Sequence, residues 1–269
     1  MRIYASTADA RAALSGPAAS AHPVGNLLRD DHRVWRAAGS AATLTLAWPA
    51  SEWISGIALV RHNLTVHARW RITGSLDGVP TLLQDWASAA PAQGLGQLAW
   101  GVEPVGVNAA TSMAAPLASV HLVEPVLVDS LVIELEDVGN TSGYLQAGRL
   151  IAGLHWSPAV GTVYGVQMRR ATTGKRSDTD SGQVLCARAA RYRELVFQMP
   201  ALTTAERTQM WTHIESIADD KPVLVALFTD ATNPAMDALH AAYGWWPAQQ
   251  GAAYDAFDRF STDVTIREA

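Results

Sequence analysis

Leu44, Leu46 and Trp48 alternate with Thr43, Thr45 and Ala47, so an extended chain here has one apolar side and one that is not. A period of two belongs to a strand with one buried face. The pattern returns at Trp70 and Ile72, set against Arg69, Arg71 and Thr73, and again at Leu131, Ile133 and Leu135, set against Val132, Glu134 and Glu136. Apolar runs at 54–60 and 150–156 add further strands, and the segments GSLDG and DVGNTSG supply turn chemistry between runs. No long helix is predicted before Trp156. Short strands separated by turns imply an antiparallel sandwich or barrel. Residues 93–116, rich in Gly, Ala and Pro, read as a long loop or a pair of short irregular strands.

The stretch GRLIAGLHWSP, Gly148 to Pro158, has a strand's pattern but carries two glycines and ends in a proline that stops a ladder by removing an amide donor. Gly148 and Gly153 sit within one expected strand, one marking a bulge and the other a close approach of backbones. Trp48, Trp70 and Trp156 take inward positions, and Asn63, after a buried run, is placed to satisfy the backbone of a turn. At 269 residues the chain suits two domains of ordinary length. The strand ending at Trp156 places the boundary between them, giving 1–157 and 158–269.

Beyond that boundary the texture changes. TVYGVQMRR and ELVFQM read as strands, Arg169 to Ser181 as a polar turn, and GQVLCARAARYR as one or two further strands. Thr203 with Glu206 three residues on is a capping box, and Met210, Trp211, Ile214 and Ile217 make the buried stripe of a helix ended by Asp219, Asp220 and Pro222. PVLVALF is a buried strand, NPAMDALHAAYGWWP holds a short helical turn, and Val264 and Ile266 share one face of a closing strand. The second domain is thus a smaller α+β domain with one main helix.

NLLRDDHRVWRA, TLTLAW, ISGIALVRHNL, WRITGSLDG and LVIELEDVGNTSGYLQAGRLIAG together resemble a galactose-binding-like jelly roll of the discoidin type, over roughly residues 20 to 156. The wording of HNL, of ITGS.DG and of GYLQAGRLIAG is similar to the version found in tail-tip and baseplate proteins of siphophages and prophages. That resemblance implies a mainly β chain, a jelly-roll sandwich followed by the α+β domain. It also implies a structural, non-enzymatic component of a phage tail tip, made in the host cytoplasm and ending in the virion. Its partners would be tail tube, hub or distal tail proteins in a symmetric multi-copy assembly. The alternative is a carbohydrate-binding module that recognises a host surface glycan.

Composition and motifs narrow the chemistry. Net charge is −5 and no lysine or arginine lies between Arg71 and Arg149, against a nucleic-acid groove with cations along its length. No apolar run approaches the length of a membrane helix, so no membrane insertion is expected. The opening MRIYASTADARAALSG lacks the basic and apolar blocks of a secretory signal, so export by that route is not expected. Cys186 is the only cysteine, which precludes an internal disulfide or a thiolate cluster. The eight histidines form no zinc-protease spacing and read as surface or turn residues, His62 and His67 lying across a turn. Neither a nucleophile elbow nor a phosphate loop occurs, and GLGQLAWG follows no strand and opens no helix. Asp30 and Asp31 near Asn26 have too few oxygens to fix a calcium cage and read as a solvated loop. The two sequons, at Asn63 and Asn140, carry little weight without a secretion signal. Catalytic residues, cofactor and metal are all expected to be none.

What remains are candidate contact residues. Of ten tryptophans, Trp35, Trp53, Trp86 and Trp100 are undecided between core, interface and sugar stacking. Arginines crowd the segment from Arg169 to Arg193. Arg169, Arg170 and Arg176 are candidates for docking onto an acidic tail protein, against the plainer reading of a solvated hairpin and a third of DNA contact. Trp245 and Trp246, between Gly244 and Pro247, sit in a segment expected to be too broken for a regular element. They are candidates for anchoring a partner or the neighbouring domain rather than filling a core.

Overall fold

The computed structural model describes residues 1–5, 7–90, 116–173, 176–178, 184–186, 191–215, 217, 220–229, 234–246 and 252–269. The expected loop at 93–116, Pro116 excepted, lies outside the described residues, as do Trp100, Ser181, Asp219 and Pro247. In chain order the strands begin with β1 (Arg2–Tyr4), β2 (Ala13–Ser15), β3 (Trp35–Ala38), β4 (Ala41–Val60) and β5 (Arg69–Leu76). Then come β6 (Val79–Ser88), β7 (Leu117–Glu136), β8 (Tyr144–Ala147) and β9 (Arg149–Gly153). They continue as β10 (Gln167–Thr172), β11 (Arg176–Asp178), β12 (Val184–Cys186) and β13 (Arg191–Leu202). The last are β14 (Val223–Ala226), β15 (Ala241–Trp245), β16 (Ala253–Ala256) and β17 (Arg259–Glu268). Helix α1 (Thr204–Met210) runs into a π-helical turn at Trp211–Glu215, and α2 covers Pro234–Leu239. The chain is mainly β. It forms two compact units, Met1–Ser157 with Val223–Ala241, and Pro158–Pro222 with Ala242–Ala269.

In the first unit an antiparallel sheet has the order β2, β4, β7, β5, β6, and β9 also pairs with β4. A second sheet holds β3 and β8. The alternation legible in the sequence points Leu44, Leu46, Trp48, Trp70, Ile72, Leu131, Ile133 and Leu135 inward, where all are buried. There they meet Trp35 and Ala37 of β3 and Leu145 and Ala147 of β8 in one core, so the two sheets form a sandwich. Each large side chain so placed contributes about 1.5–3 kcal/mol relative to exposure. Trp156 is the exception among the expected core tryptophans: it is only partly buried, and its backbone pairs with Ile3.

Two expected strands, 43–48 and 54–60, are one strand, β4, interrupted by a bulge. Register runs from Ala47 opposite Ser130 to Glu52 opposite Val128, a shift absorbed around Pro49, which has no amide to give the ladder. The strand expected from Gly148 to Trp156 runs only from Arg149 to Gly153, and a further strand that was not expected precedes it. Tyr144–Ala147 pairs with β3, while Arg149–Gly153 crosses to β4. Gly148 is the crossing point, where a Cβ would stand 2.6 Å from Nε of Arg61. Asp77 and Gly78, at φ 53° and 78°, make the two-residue turn between β5 and β6. Asn63 satisfies not a turn but the strand β8, donating to the Tyr144 carbonyl at 2.9 Å and accepting the Gln146 amide at 2.8 Å. The apolar run 223–226 is the buried strand β14, paired with β1.

In the second unit β15, β17, β13 and β10 form an antiparallel sheet with β16 on β17, and Val264 and Ile266 face its core. The capping box at Thr203 and Glu206 is present in both directions. Met210 and Ile214 are buried as the helical stripe requires, but Trp211 is 62% exposed, with the Arg207 guanidinium 4.9 Å from its ring centroid. The expected polar turn at Arg169–Ser181 instead contains the end of β10 and all of β11.

Candidate functional site

On the solvent side of the large sheet, Arg69 and Arg71 leave β5 opposite Glu136 and Glu134 of β7. Arg71 donates from Nε and Nη2 to the two oxygens of Glu134 at 2.6 and 2.8 Å. Arg69 donates from the same atoms to Oε2 of Glu136 at 2.9 and 2.6 Å. Trp86 of β6 completes the row, its ring centroid 4.9 Å from the guanidinium of Arg69 and 5.2 Å from that of Arg71. The register extends it to Thr43 of β4, opposite Glu134. A half-buried indole is thereby followed across four strands by guanidinium, carboxylate and hydroxyl. Its bonds to Glu134 hold the Arg71 guanidinium above its ordinary pKa, and the same bonds hold the Glu134 carboxyl below its own. Pairs this exposed contribute little to folding, so their order patterns a surface.

A second group of polar residues is enclosed by the same unit. Tyr4 Oη lies 2.8 Å from His121 Nδ1, and His121 Nε2 lies 2.9 Å from Asp237 Oδ2 of α2. The second contact is close but not aligned as a hydrogen bond, and Asp237 Oδ1 has no hydrogen-bond partner. Ser55 Oγ sits 2.6 Å from His155 Nδ1 and accepts the His155 amide at 2.9 Å. Arg2 donates from Nη1 to the carbonyls of Leu122 at 2.6 Å and Ser55 at 3.3 Å. Burial pushes the Tyr4 phenol up to about 12. Burial, then the charge of Arg2, pushes His155 down to about 4. Tyr, His, Asp and Ser in one cluster are the components of a proton relay. Nucleophilic catalysis, however, needs an oxygen that a substrate can reach, and Tyr4 and Ser55 are 1% and 0% exposed.

The residues expected to make contacts are distributed differently. Arg169 and Arg170 are exposed on β10, Arg169 bonded to Gln167 of its own strand and Arg170 opposite Arg193. Arg176 belongs to β11. Trp245 and Trp246 are not on an irregular loop. Trp245 ends β15 opposite Arg267, and Gly244 is there because a Cβ would run into the backbone of β17. Trp245 is 41% exposed, while Trp246, directly after the strand, is buried at 3%. His62 and His121 are buried, against the expectation of surface or turn histidines. Of the residues suggested for calcium, Asp30 pairs with Arg149 at 2.8 Å, Asp31 Oδ1 accepts the Arg33 amide at 2.9 Å, and Asn26 donates its Nδ2 to the Val34 carbonyl. No group of metal-ligating side chains occurs among the described residues. The Arg–Glu row was visible as residues 69, 71, 134 and 136 on one strand face each, but the pairing of β5 with β7 joins them, and no local signal carries that.

No family model matches the chain, and no curated protein does. Among solved structures it is similar to the family 32 carbohydrate-binding module of Clostridium perfringens NanJ in complex with galactose. That match has 13% identity and TM-score 0.38, and covers 56% of this chain and 98% of that one. The family 32 carbohydrate-binding module of Streptococcus pneumoniae EndoD matches at 9% identity and TM-score 0.39, over 55% and 98% of the respective chains. A module of a family 31 glycoside hydrolase from Clostridium perfringens matches at 11% identity and TM-score 0.39, over 55% and 94%.

Proposed function

We propose that the first unit is a non-catalytic carbohydrate-binding module that holds a glycan on the outer face of its large sheet. The observation that carries this reading is the row Trp86, Arg69 and Arg71, Glu134 and Glu136. An indole face takes the C–H face of a pyranose ring, as aromatic side chains take apolar surface with a polar rim. Guanidinium and carboxylate groups already fixed by two hydrogen bonds in each pair, bidentate for Arg71 and Glu134, offer donors and acceptors at fixed spacing, so little side-chain freedom is lost when hydroxyls bind. This puts glycan recognition, the alternative in the sequence reading, ahead of a tail-tip role. The tail-tip role has the likeness of HNL, ITGS.DG and GYLQAGRLIAG behind it, and would use the same module to brace an assembly.

A glycan array probed with the 269-residue protein, followed by Trp86→Ala and Glu134→Gln, tests the proposal. Binding to a glycan that Trp86→Ala abolishes while the circular dichroism spectrum is retained supports it. A folded protein that retains no glycan, or one whose binding is indifferent to both substitutions, overturns it.

A further inference from the structure

The sheet of the second unit carries a row of its own. Trp245 of β15 stands opposite Arg267 of β17, Arg267 opposite Glu194 of β13, and Glu194 opposite Arg169 of β10. Residues directly opposite on antiparallel strands share a face, their Cβ atoms about 5 Å apart. This face is the outward one, because Leu195, Phe197, Val264 and Ile266, which alternate with the row along β13 and β17, are buried. Indole, guanidinium and carboxylate thus follow one another on successive strands, in the order of Trp86, Arg71 and Glu134 in the first unit.

The two rows differ in what their charges do. In the first unit the guanidiniums are closed onto carboxylates. In the second, Arg267 and Glu194 make no hydrogen bond or ion pair among the described residues, and the Arg267 guanidinium lies 4.1 Å from the ring centroid of Tyr192, two residues before Glu194 on the same face. An aromatic ring positions a guanidinium through its quadrupole and not through an oxygen acceptor, which leaves the donor fork to an incoming carboxylate. Trp245, 41% exposed, stands beside that fork. Arg169 is already engaged, donating to Gln167 at 2.6 and 3.1 Å.

The ligand this arrangement fits has one carboxylate for Arg267, a ring with a C–H face for Trp245, and hydroxyls to donate to Glu194. A run of carboxylates or phosphates does not fit, since Glu194 and the exposed Asp263 on the same face of β17 would repel it. We propose that this face of the second unit binds a hexuronic acid residue of an acidic polysaccharide. A hexuronate carries its carboxylate directly on the pyranose ring, which suits the short reach between two opposed residues. The site lies in a different unit from the row at Trp86 and stands whether or not that row holds a glycan.

Calorimetric titration of the full chain tests this, with tetrasaccharides of galacturonic and of glucuronic acid and with the same sugars methyl-esterified, which keeps the rings and removes the charge. At least one acid tetrasaccharide is expected to bind, more weakly at high salt and about tenfold more weakly as its ester. Trp245→Ala and Arg267→Gln, both at exposed positions, are each expected to weaken binding about tenfold with the circular dichroism spectrum unchanged, while Trp86→Ala leaves it intact. Should Trp245→Ala not fold, Arg267→Gln decides. Absence of binding by both acids overturns the proposal, as does equal binding of the ester or loss of binding in Trp86→Ala. An oligoglutamate peptide that binds as tightly as the uronates also overturns it, in favour of an acidic protein partner.

Discussion

Gly56 and Tyr4 share one space: a Cβ on Gly56 would overlap the phenol of Tyr4. The ring is 1% exposed and its oxygen is bonded to His121, so it has nowhere to retreat. Gly56→Ala is expected to lower stability by about 3 kcal/mol, as overpacking a closed site does. Tyr4→Leu made in that background should recover part of the loss. Urea unfolding of the single and double variants measures the coupling.

Arg149 is expected to be the most sensitive charged position. Its side chain is 5% exposed, with Nη2 2.6 Å from Asp9 Oδ2, Nε 2.8 Å from Asp30, and Nη1 on the carbonyls of Leu27 and Leu150. Arg149→Met leaves the fully buried Asp9 carboxylate without its cation, at a cost of about 3–5 kcal/mol. Adding Asp9→Asn should return more than half of that, which thermal unfolding of the pair will show.

His62 contributes to the loss of stability in acid. Its Nδ1 accepts the Leu64 amide, and burial pushes its pKa down to about 4 against small opposing effects of the Leu117 carbonyl and Asp137. The unfolded chain binds this proton from about pH 6.5 downward and the folded chain only near pH 4, so stability present above that window is lost across it. The loss is about 3 kcal/mol by pH 4. The gap between urea midpoints at pH 7 and pH 4.5 should narrow in His62→Gln without closing, because His155 is shifted the same way.

Thr203→Ala removes the acceptor for the Glu206 amide and one half of the capping box. A loss of about 1 kcal/mol is expected, confined to the second unit. Exchange of amides 204–210 reads it directly.

Period-two alternation gave the inward faces of β4, β5 and β7 correctly because one buried face leaves its mark on every second residue. What alternation does not encode is who lies beside whom. Gly148 separates strands of two sheets, and residues 41–60, which read as two strands, are one, because sheet membership is decided by partners far along the chain. The buried cluster was hidden for the same reason. Tyr4, His121 and Asp237 are each separated by more than a hundred residues, and each alone looks like an ordinary polar side chain. The expectation of a break before Trp245 followed a local rule: Gly244 reads as a loosened backbone, while its use is to let β15 and β17 come close.

The pairing of Arg2–Tyr4 with Leu224–Ala226 sets an order on biosynthesis. A ribosome adds about 5–20 residues per second, so the earliest strand waits roughly 10–40 s for its mate to be made. During that interval β2, β4, β7, β5 and β6 can already assemble, while the edge of β1 stands open to any other chain nearby. Mispairing in that interval threatens the open edge of β1 more than the growing end, and a chaperone that covers Arg2–Tyr4 would lower that risk.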